Sequence, residues 1–157
     1  MAKLLIVAVA GKLPAWATAA RDDYLKRLPR GFQVRYLETK AEPRSGGRTL
    51  PRILAAEAER IRAVLPRGAR VIALDERGRD LATPEFAACL RGWVDEGVPS
   101  AFVIGGPDGL DATFKRDAAM QLRLSSLTLP RALAQVVLCE QLYRAASLLA
   151  GHPYHRQ

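Results

Sequence analysis

Apolar runs of strand length alternate with helical segments along the chain, and this alternation constrains the fold most. The runs are short and bounded by glycine or proline, whereas the segments between them repeat apolar residues at helical spacing. Because strands separated by helices pair in parallel through right-handed crossovers, the sequence predicts one α/β domain over residues 1–157 with a parallel sheet. The predicted strands are 4–9, 32–38, 69–74, 101–104 and 122–127, and the predicted helices are 14–28, 51–65, 83–94, 111–120 and 130–150.

Local signals refine several boundaries. Residues 76–80 indicate a turn after the third strand. Thr83 is followed by a proline and an acid, which is typical of a helix that begins with a threonine cap, and Asp111 is expected to cap the next helix. Trp16 and Trp93 fall in apolar helical patterns, so we expect both in the core or at an interface rather than stacked on bases.

The carboxyl ends of the strands are where a ligand is expected in such a sheet. Leu74, Gly105 and the segment around Ser125 all lie at these predicted ends. The fourth strand breaks into three glycines within residues 105–109, and glycines permit a close approach to the backbone. This edge is therefore the predicted binding edge.

Several common nucleotide and hydrolase motifs are absent from the sequence. The glycines at 105–109 lack the G-x-G-x-x-G spacing of a dinucleotide site and follow the fourth strand rather than the first. The Gly-Lys pair at 11–12 lacks the other residues of a P-loop, and neither a G-x-S-x-G elbow nor an H-E-x-x-H helix occurs. These observations argue against the corresponding enzyme classes.

Positive charge is concentrated in the first half of the chain. Residues 1–80 contain 17 Lys and Arg against 9 Asp and Glu, whereas residues 81–157 contain 7 against 7. Such a field attracts polyanions, so RNA, DNA or an anionic membrane surface are candidate partners. The alternative is general arginine abundance, with 19 Arg to 5 Lys, but that does not explain the asymmetry.

Cysteine usage and hydropathy set the expected compartment. Cys89 and Cys139 lie in apolar helical patterns without further ligands at metal spacing, which predicts free buried thiols and no metal site. The run at 4–10 is too short for a signal-peptide core, and no stretch of eighteen apolar residues occurs. We therefore expect a cytoplasmic protein that does not span or bind a membrane.

Eight stretches spread over almost the whole chain carry a resemblance to a known family: 3–9, 12–16, 24–27, 71–75, 102–110, 124–130, 140–145 and 154–155. Together they resemble the ribosomal RNA large subunit methyltransferase H family, which belongs to the SPOUT class and methylates N3 of a pseudouridine in 23S ribosomal RNA. The resemblance implies S-adenosylmethionine as methyl donor, a C-terminal trefoil knot, a homodimer and the ribosome as partner.

The resemblance also implies which residues form the site. Tyr154 and His155 are expected to position the base and handle its N3 proton, and Glu140 and His152 are further candidates for accepting that proton. The donor pocket carries over to Leu74, Gly105, Leu124, Ser125, Ser126, Leu127, Thr128 and Leu129.

Arginines are the expected RNA contacts. Arg44 and Arg48 lie in a basic loop at 41–48, predicted to be mobile, which either grips phosphate or is only a solvated connector; Arg52 follows it. The family usually has Pro-His and an arginine four residues later, whereas this chain has Arg131 and then Gln135, so the basic group moves by about one helical turn. Two hypotheses remain: an RNA methyltransferase, or a non-catalytic ribosome- or RNA-binding protein with the same fold.

Overall fold

Strands and helices alternate as the sequence predicts. The structure, a computed structural model, describes residues 2–9 and 11–156, apart from the side chains of residues 2, 155 and 156. The elements are β1 (Ala2–Val9), α1 (Ala15–Lys26), β2 (Phe32–Thr39), α2 (Leu50–Val64), β3 (Arg70–Asp80), α3 (Thr83–Glu96), β4 (Ser100–Ile104), α4 (Ala112–Asp117), β5 (Met120–Arg123), α5 (Arg131–Leu149) and a final 3₁₀ turn (Pro153–Arg156).

The five strands form one parallel sheet in the order β2-β1-β4-β3-β5, which confirms the predicted α/β fold class. Ile6 of β1 lies opposite Tyr36 of β2 on one side and Phe102 of β4 on the other. Because every pair is parallel, all carboxyl ends meet at one edge of the sheet. We call this the carboxyl edge.

Each face of the sheet has its own core, because successive side chains of a strand point to opposite faces. Ile6 and Phe102 pack with Leu142 on the face covered by α1, α3 and α5. Val7 and Val103 belong to the core on the other face, together with residues of α2 and α4. The continuous apolar run of β1 is thus explained by burial on both sides.

The predicted turn at 76–80 is wrong, because β3 continues to Asp80. Leu74 and Arg79 both pair with Leu122, so the residues between them form a bulge in the strand. A Cβ atom on Gly78 would lie 2.6 Å from the carbonyl carbon of Gln121, so the bulge needs a glycine there. Residues 75–78 therefore form the bulged segment of β3 at the carboxyl edge.

Two further boundaries differ from the prediction. β5 ends at Arg123, so residues 124–127 lie in the following loop, and α4 ends at Asp117. The Asp111 cap is confirmed, since its Oδ2 accepts a hydrogen bond from the Phe114 N–H at 3.0 Å. Thr83 is not a cap. Its hydroxyl donates to Gln141 Oε1 at 2.8 Å, which ties α3 to α5.

The two tryptophans have different environments. Trp93 packs against the core and meets Phe102 edge-on, with 6.1 Å between ring centroids, as predicted. Trp16 is 56% exposed, so its predicted place in the core is wrong and an interface role is untested. Cys139 is buried and Cys89 is half-buried. Within the described residues, no helix is long and apolar enough to cross a membrane.

Candidate functional site

A cavity of about 650 Å³ opens at the carboxyl ends of β3, β4 and β5. This volume is within the usual range for small-molecule sites. The cavity is lined by seven of the eight residues predicted for the donor pocket: Leu74, Gly105, Leu124, Ser125, Leu127, Thr128 and Leu129. Ser126 is not among its lining residues. Sequence reasoning did not name Asp75, Asp108 and Lys115 as lining residues, although Asp75 and Asp108 fall in the stretches 71–75 and 102–110 that resemble the family.

One wall of the cavity is the loop that follows β4, residues 105–109, which we call the glycine loop. The Gly109 N–H donates to the Gly106 carbonyl at 3.0 Å, and Gly109 has a φ of +81°, which favours glycine. A Cβ atom on Gly105 would lie 2.5 Å from the carbonyl carbon and oxygen of Gly109. Gly105 is therefore required by the loop folding over it, and its side-chain position is occupied by backbone rather than by open cavity.

The opposite wall is the loop between β5 and α5. Ser125 Oγ accepts a hydrogen bond from the Leu127 N–H at 2.9 Å, which shapes the loop locally. Leu127 is 75% exposed. Apolar Leu74, Leu124 and Leu129 combine here with hydroxyl and backbone groups, which is the composition of a slot for a planar, partly apolar ligand.

Acidic and basic side chains flank this slot. Asp75, in the β3 bulge, is 16% exposed and lies 3.4 Å from Lys115 Nζ. Asp108 is held at 3.2 Å by Arg44. The cavity thus offers fixed carboxylates and a cation beside its apolar surface, a set that can hold both charged ends of an amino-acid group.

Buried acids link the loop between β2 and α2 to α2. Glu57 is 3% exposed, and its Oε2 accepts hydrogen bonds from the Glu42 N–H at 3.0 Å and from Arg44 Nη1. Glu42 is 6% exposed and pairs with Arg48 at 2.8 Å and Arg60 at 2.6 Å. Ion pairs therefore connect the loop to α2, and the mobility expected of the loop stays a prediction.

These pairs change the meaning of the predicted RNA contacts. Arg44 and Arg48 already neutralise buried acids, whereas Arg52 is exposed on α2 and shows no acidic partner within the described part of the chain. Arg44 also bridges Glu57 to Asp108 of the glycine loop, so it connects the loop between β2 and α2 to the cavity wall. Its contact with RNA stays a prediction.

Arg131, at the start of α5, lines the cavity and also packs against the β1–α1 loop. A Cβ atom on Gly11 would overlap its guanidinium group, with Cζ 2.8 Å away. Gln135, one turn further, is 2% exposed and accepts a hydrogen bond from the Tyr36 hydroxyl at 3.0 Å. The structure thus places Arg131 beside the cavity and Gln135 inside the protein, away from any RNA.

The C-terminal tail docks on α5 of its own chain. Tyr154 Oη donates to Glu140 Oε2 at 3.1 Å, and its ring meets Tyr143 edge-on at 4.5 Å. Burial, together with hydrogen bonds to Tyr24 and Glu140, raises the pKa of Tyr154 to about 12. Glu140 also pairs at 2.9 Å with Arg144, four residues further along α5.

Within the described residues, the tail does not line the cavity of the same chain. Glu140 lies nine positions beyond Arg131 on α5, which corresponds to about 13 Å along the helix axis. Tyr154 is not among the cavity-lining residues, and His152 is exposed. The His155 side chain lies outside the described residues. Across the part of the chain that the structure describes, no three His, Cys, Asp or Glu side chains are grouped to hold a metal ion.

Comparisons with known proteins show which family the chain resembles over its length. Residues 2–155 match the family described as "Predicted SPOUT methyltransferase". A protein of Paracidovorax citrulli named "Ribosomal RNA large subunit methyltransferase H" is 55% identical over 155 residues, which cover 99% of both chains. Proteins of the same name from Delftia acidovorans and Burkholderia vietnamiensis are 53% and 51% identical, over 99% and 98% of this chain and 99% of each relative.

Proposed function

The chain belongs to the SPOUT methyltransferase family, and on that basis we propose that it transfers a methyl group from S-adenosylmethionine to N3 of a pseudouridine in 23S ribosomal RNA. The observation that carries this proposal is the cavity at the carboxyl edge. It is lined by seven residues expected to hold the donor, and its walls combine leucines with backbone and hydroxyl groups. A purely RNA-binding protein would have no need of such a slot.

The residues of the cavity divide between binding and orientation. Leu74, Leu124 and Leu129 provide apolar walls for an adenine ring, and Gly105 contributes backbone to the lining. When bound, the donor supplies an electrophilic methyl group on its sulfonium. Holding the acceptor nitrogen at near-attack distance supplies much of the acceleration in such a displacement.

The acceptor nitrogen must also lose its proton, and here the tail is proposed to act. Tyr154 is a poor base near neutral pH because its pKa is raised to about 12, so it suits hydrogen bonding and positioning of the base. Of the other candidates, Glu140 is paired with Arg144 and His152 lies outside the stretches that resemble the family, so the proton is assigned to His155, directly or through water. Because the tail docks far from its own cavity, we propose a homodimer in which the tail of one subunit completes the cavity of the other.

Ribosomal RNA in the bacterial cytoplasm is the proposed partner. The excess positive charge of residues 1–80 favours binding to such a polyanion. Of the predicted contacts, Arg131 beside the cavity and exposed Arg52 have charges that are best placed for RNA. Arg44 and Arg48 add less positive charge to the surface, because each pairs with an acid.

The decisive experiment combines a deletion strain with purified protein. Ribosomal RNA from the deletion strain should lack one methylated pseudouridine by mass spectrometry, and its ribosomes should accept labelled methyl groups from the protein and donor. Calorimetry should detect donor binding to the protein alone. Ribosome binding without donor binding or methyl transfer would refute the proposal and leave the non-catalytic RNA-binding function.

A further inference from the structure

A second hollow lies at the carboxyl edge, beside the donor cavity. It has a volume of about 580 Å³ and is formed by the loop after β1, the first turns of α1 and the end of β2. We call it the basic hollow, because Lys12, Arg21 and Lys40 line it against a single carboxylate, that of Glu38. None of these residues belongs to the donor site proposed above.

The floor of the basic hollow is rigid. The Arg21 side chain is only 12% exposed, and its Nε donates to Asp22 Oδ1 at 3.0 Å. Its guanidinium group stacks on the Tyr36 ring, with 3.9 Å between Cζ and the ring centroid. Tyr36 is held in turn by buried Gln135. Arg21 is therefore a preorganised cation, whereas Lys12 and Lys40 are exposed at the rim.

Arg131 separates the basic hollow from the donor cavity. It lines the cavity, and its guanidinium group packs on Gly11, which lines the hollow. The two sites also lie over neighbouring strands, since β1 pairs directly with β4, and adjacent strands are about 5 Å apart. A chain of nucleotides that places one base at the cavity would pass over the hollow.

We propose that the basic hollow binds a backbone phosphate of the RNA substrate, beside the nucleotide whose base is methylated. This proposal rests on the proposed function and adds to it a subsite that binds phosphate. Phosphate contacts fix register and orientation without reading sequence, which is what a transfer reaction at one ring atom requires. Lys12 and Lys40 act as mobile point charges above the fixed guanidinium of Arg21.

The test uses the double variant Lys12→Gln/Lys40→Gln and leaves Arg21 intact, because Arg21 packs on Tyr36 and its loss would disturb the fold. The control is Arg30→Gln/Arg67→Gln, which removes the same charge from exposed positions before β2 and β3, at the opposite edge of the sheet. Binding of a single-stranded RNA and of ribosomes is measured against salt concentration, and methyl transfer is measured in parallel.

The double variant should bind RNA roughly tenfold more weakly, and its plot of log affinity against log salt should be shallower by about 0.7, the value for one phosphate contact on a single strand. KM for ribosomes should rise with kcat little changed, and donor affinity should equal that of wild type. Inorganic phosphate should compete with RNA for wild type more than chloride does at equal ionic strength, and this excess should vanish in the double variant.

Equal effects of the two double variants would mean that only net charge matters, and would overturn the proposal. The proposal would also be overturned if the double variant lost inorganic phosphate binding but bound RNA as wild type does. The hollow would then bind a free ion and not RNA. Failure of wild type to transfer methyl groups is a separate result: it refutes the proposed function, while the salt slopes still decide whether the hollow binds RNA phosphate.

Discussion

Replacing Arg44 by methionine should destabilise the protein and weaken donor binding together. Arg44 partners Glu57, whose side chain is 3% exposed and whose Oε1 is buried without a hydrogen bond. Removing one member of a buried pair costs about 3–5 kcal/mol, whereas exposed pairs contribute about 1 kcal/mol or less. Since the Arg44 side chain is 34% exposed, we expect a loss of about 2–3 kcal/mol in the free energy of unfolding.

Denaturant unfolding and thermal melting measure this loss, which should lower Tm by roughly 5–10 °C for a chain of this size. The same substitution frees Asp108, so the glycine loop loses its tether and donor affinity should fall several-fold by calorimetry. The double variant Arg44→Met/Glu57→Gln is the control, because a neutral amide leaves no buried charge unpaired.

The double variant should be more stable than Arg44→Met alone, with a coupling energy above about 1 kcal/mol. Additive losses in the double-mutant cycle would refute the ion-pair argument. Unchanged donor affinity in a destabilised Arg44→Met protein would show instead that the ion pair supports the fold but does not hold the glycine loop at the cavity.

Three further results are expected. Gly105→Ala should abolish donor binding in a folded protein, because its Cβ would lie 2.5 Å from the Gly109 backbone. The control Gly106→Ala, whose Cβ would have its nearest atom at 3.5 Å, should bind donor normally. Equal calorimetric affinities of the two variants for the donor would contradict this. Deleting residues 154–157 should lower single-turnover methyl transfer by roughly a hundredfold or more and leave donor affinity near wild type, with a small fall in Tm because the Tyr154 contacts with Glu140 and Tyr143 are lost; loss of donor binding would assign the tail to the donor pocket. Tyr154→Phe should remove a phenolate absorbance step near pH 12. The pKa of Tyr154 in the folded protein exceeds the ordinary value of 10.0, so its stabilising contribution is complete below about pH 10 and is lost as pH rises through 12. If Tyr154→Phe instead removed an absorbance step at pH 10, the raised pKa would be refuted.

The fold and the position of the cavity were predictable because both follow from local patterns. Apolar runs mark the strands, and the parallel arrangement brings Leu74, Gly105 and Ser125 to one edge. The β3 bulge was missed because its charged residues look like a turn, and only pairing with β5 reveals that the strand continues.

Long-range electrostatics could not be predicted. Nothing local shows that Glu57, in the middle of an amphipathic helix, is buried against Arg44, or that Arg21 stacks on Tyr36. Arginines that look alike in sequence therefore separate into structural ones and exposed ones only once the fold is known. The contact of Tyr154 with Glu140, away from the cavity of the same chain, depends on the course of α5, so it too could not be read from the sequence.

The order of the sheet also governs when the chain can fold during its synthesis. β1 is made first, yet its neighbour β4 ends only at Ile104. Leu4 shares a core with Leu142 of α5, so that core cannot close until nearly the whole chain has been translated. Such distant contacts require loop closure before they are formed, which slows folding. We therefore expect this core to form only after α5 has been translated.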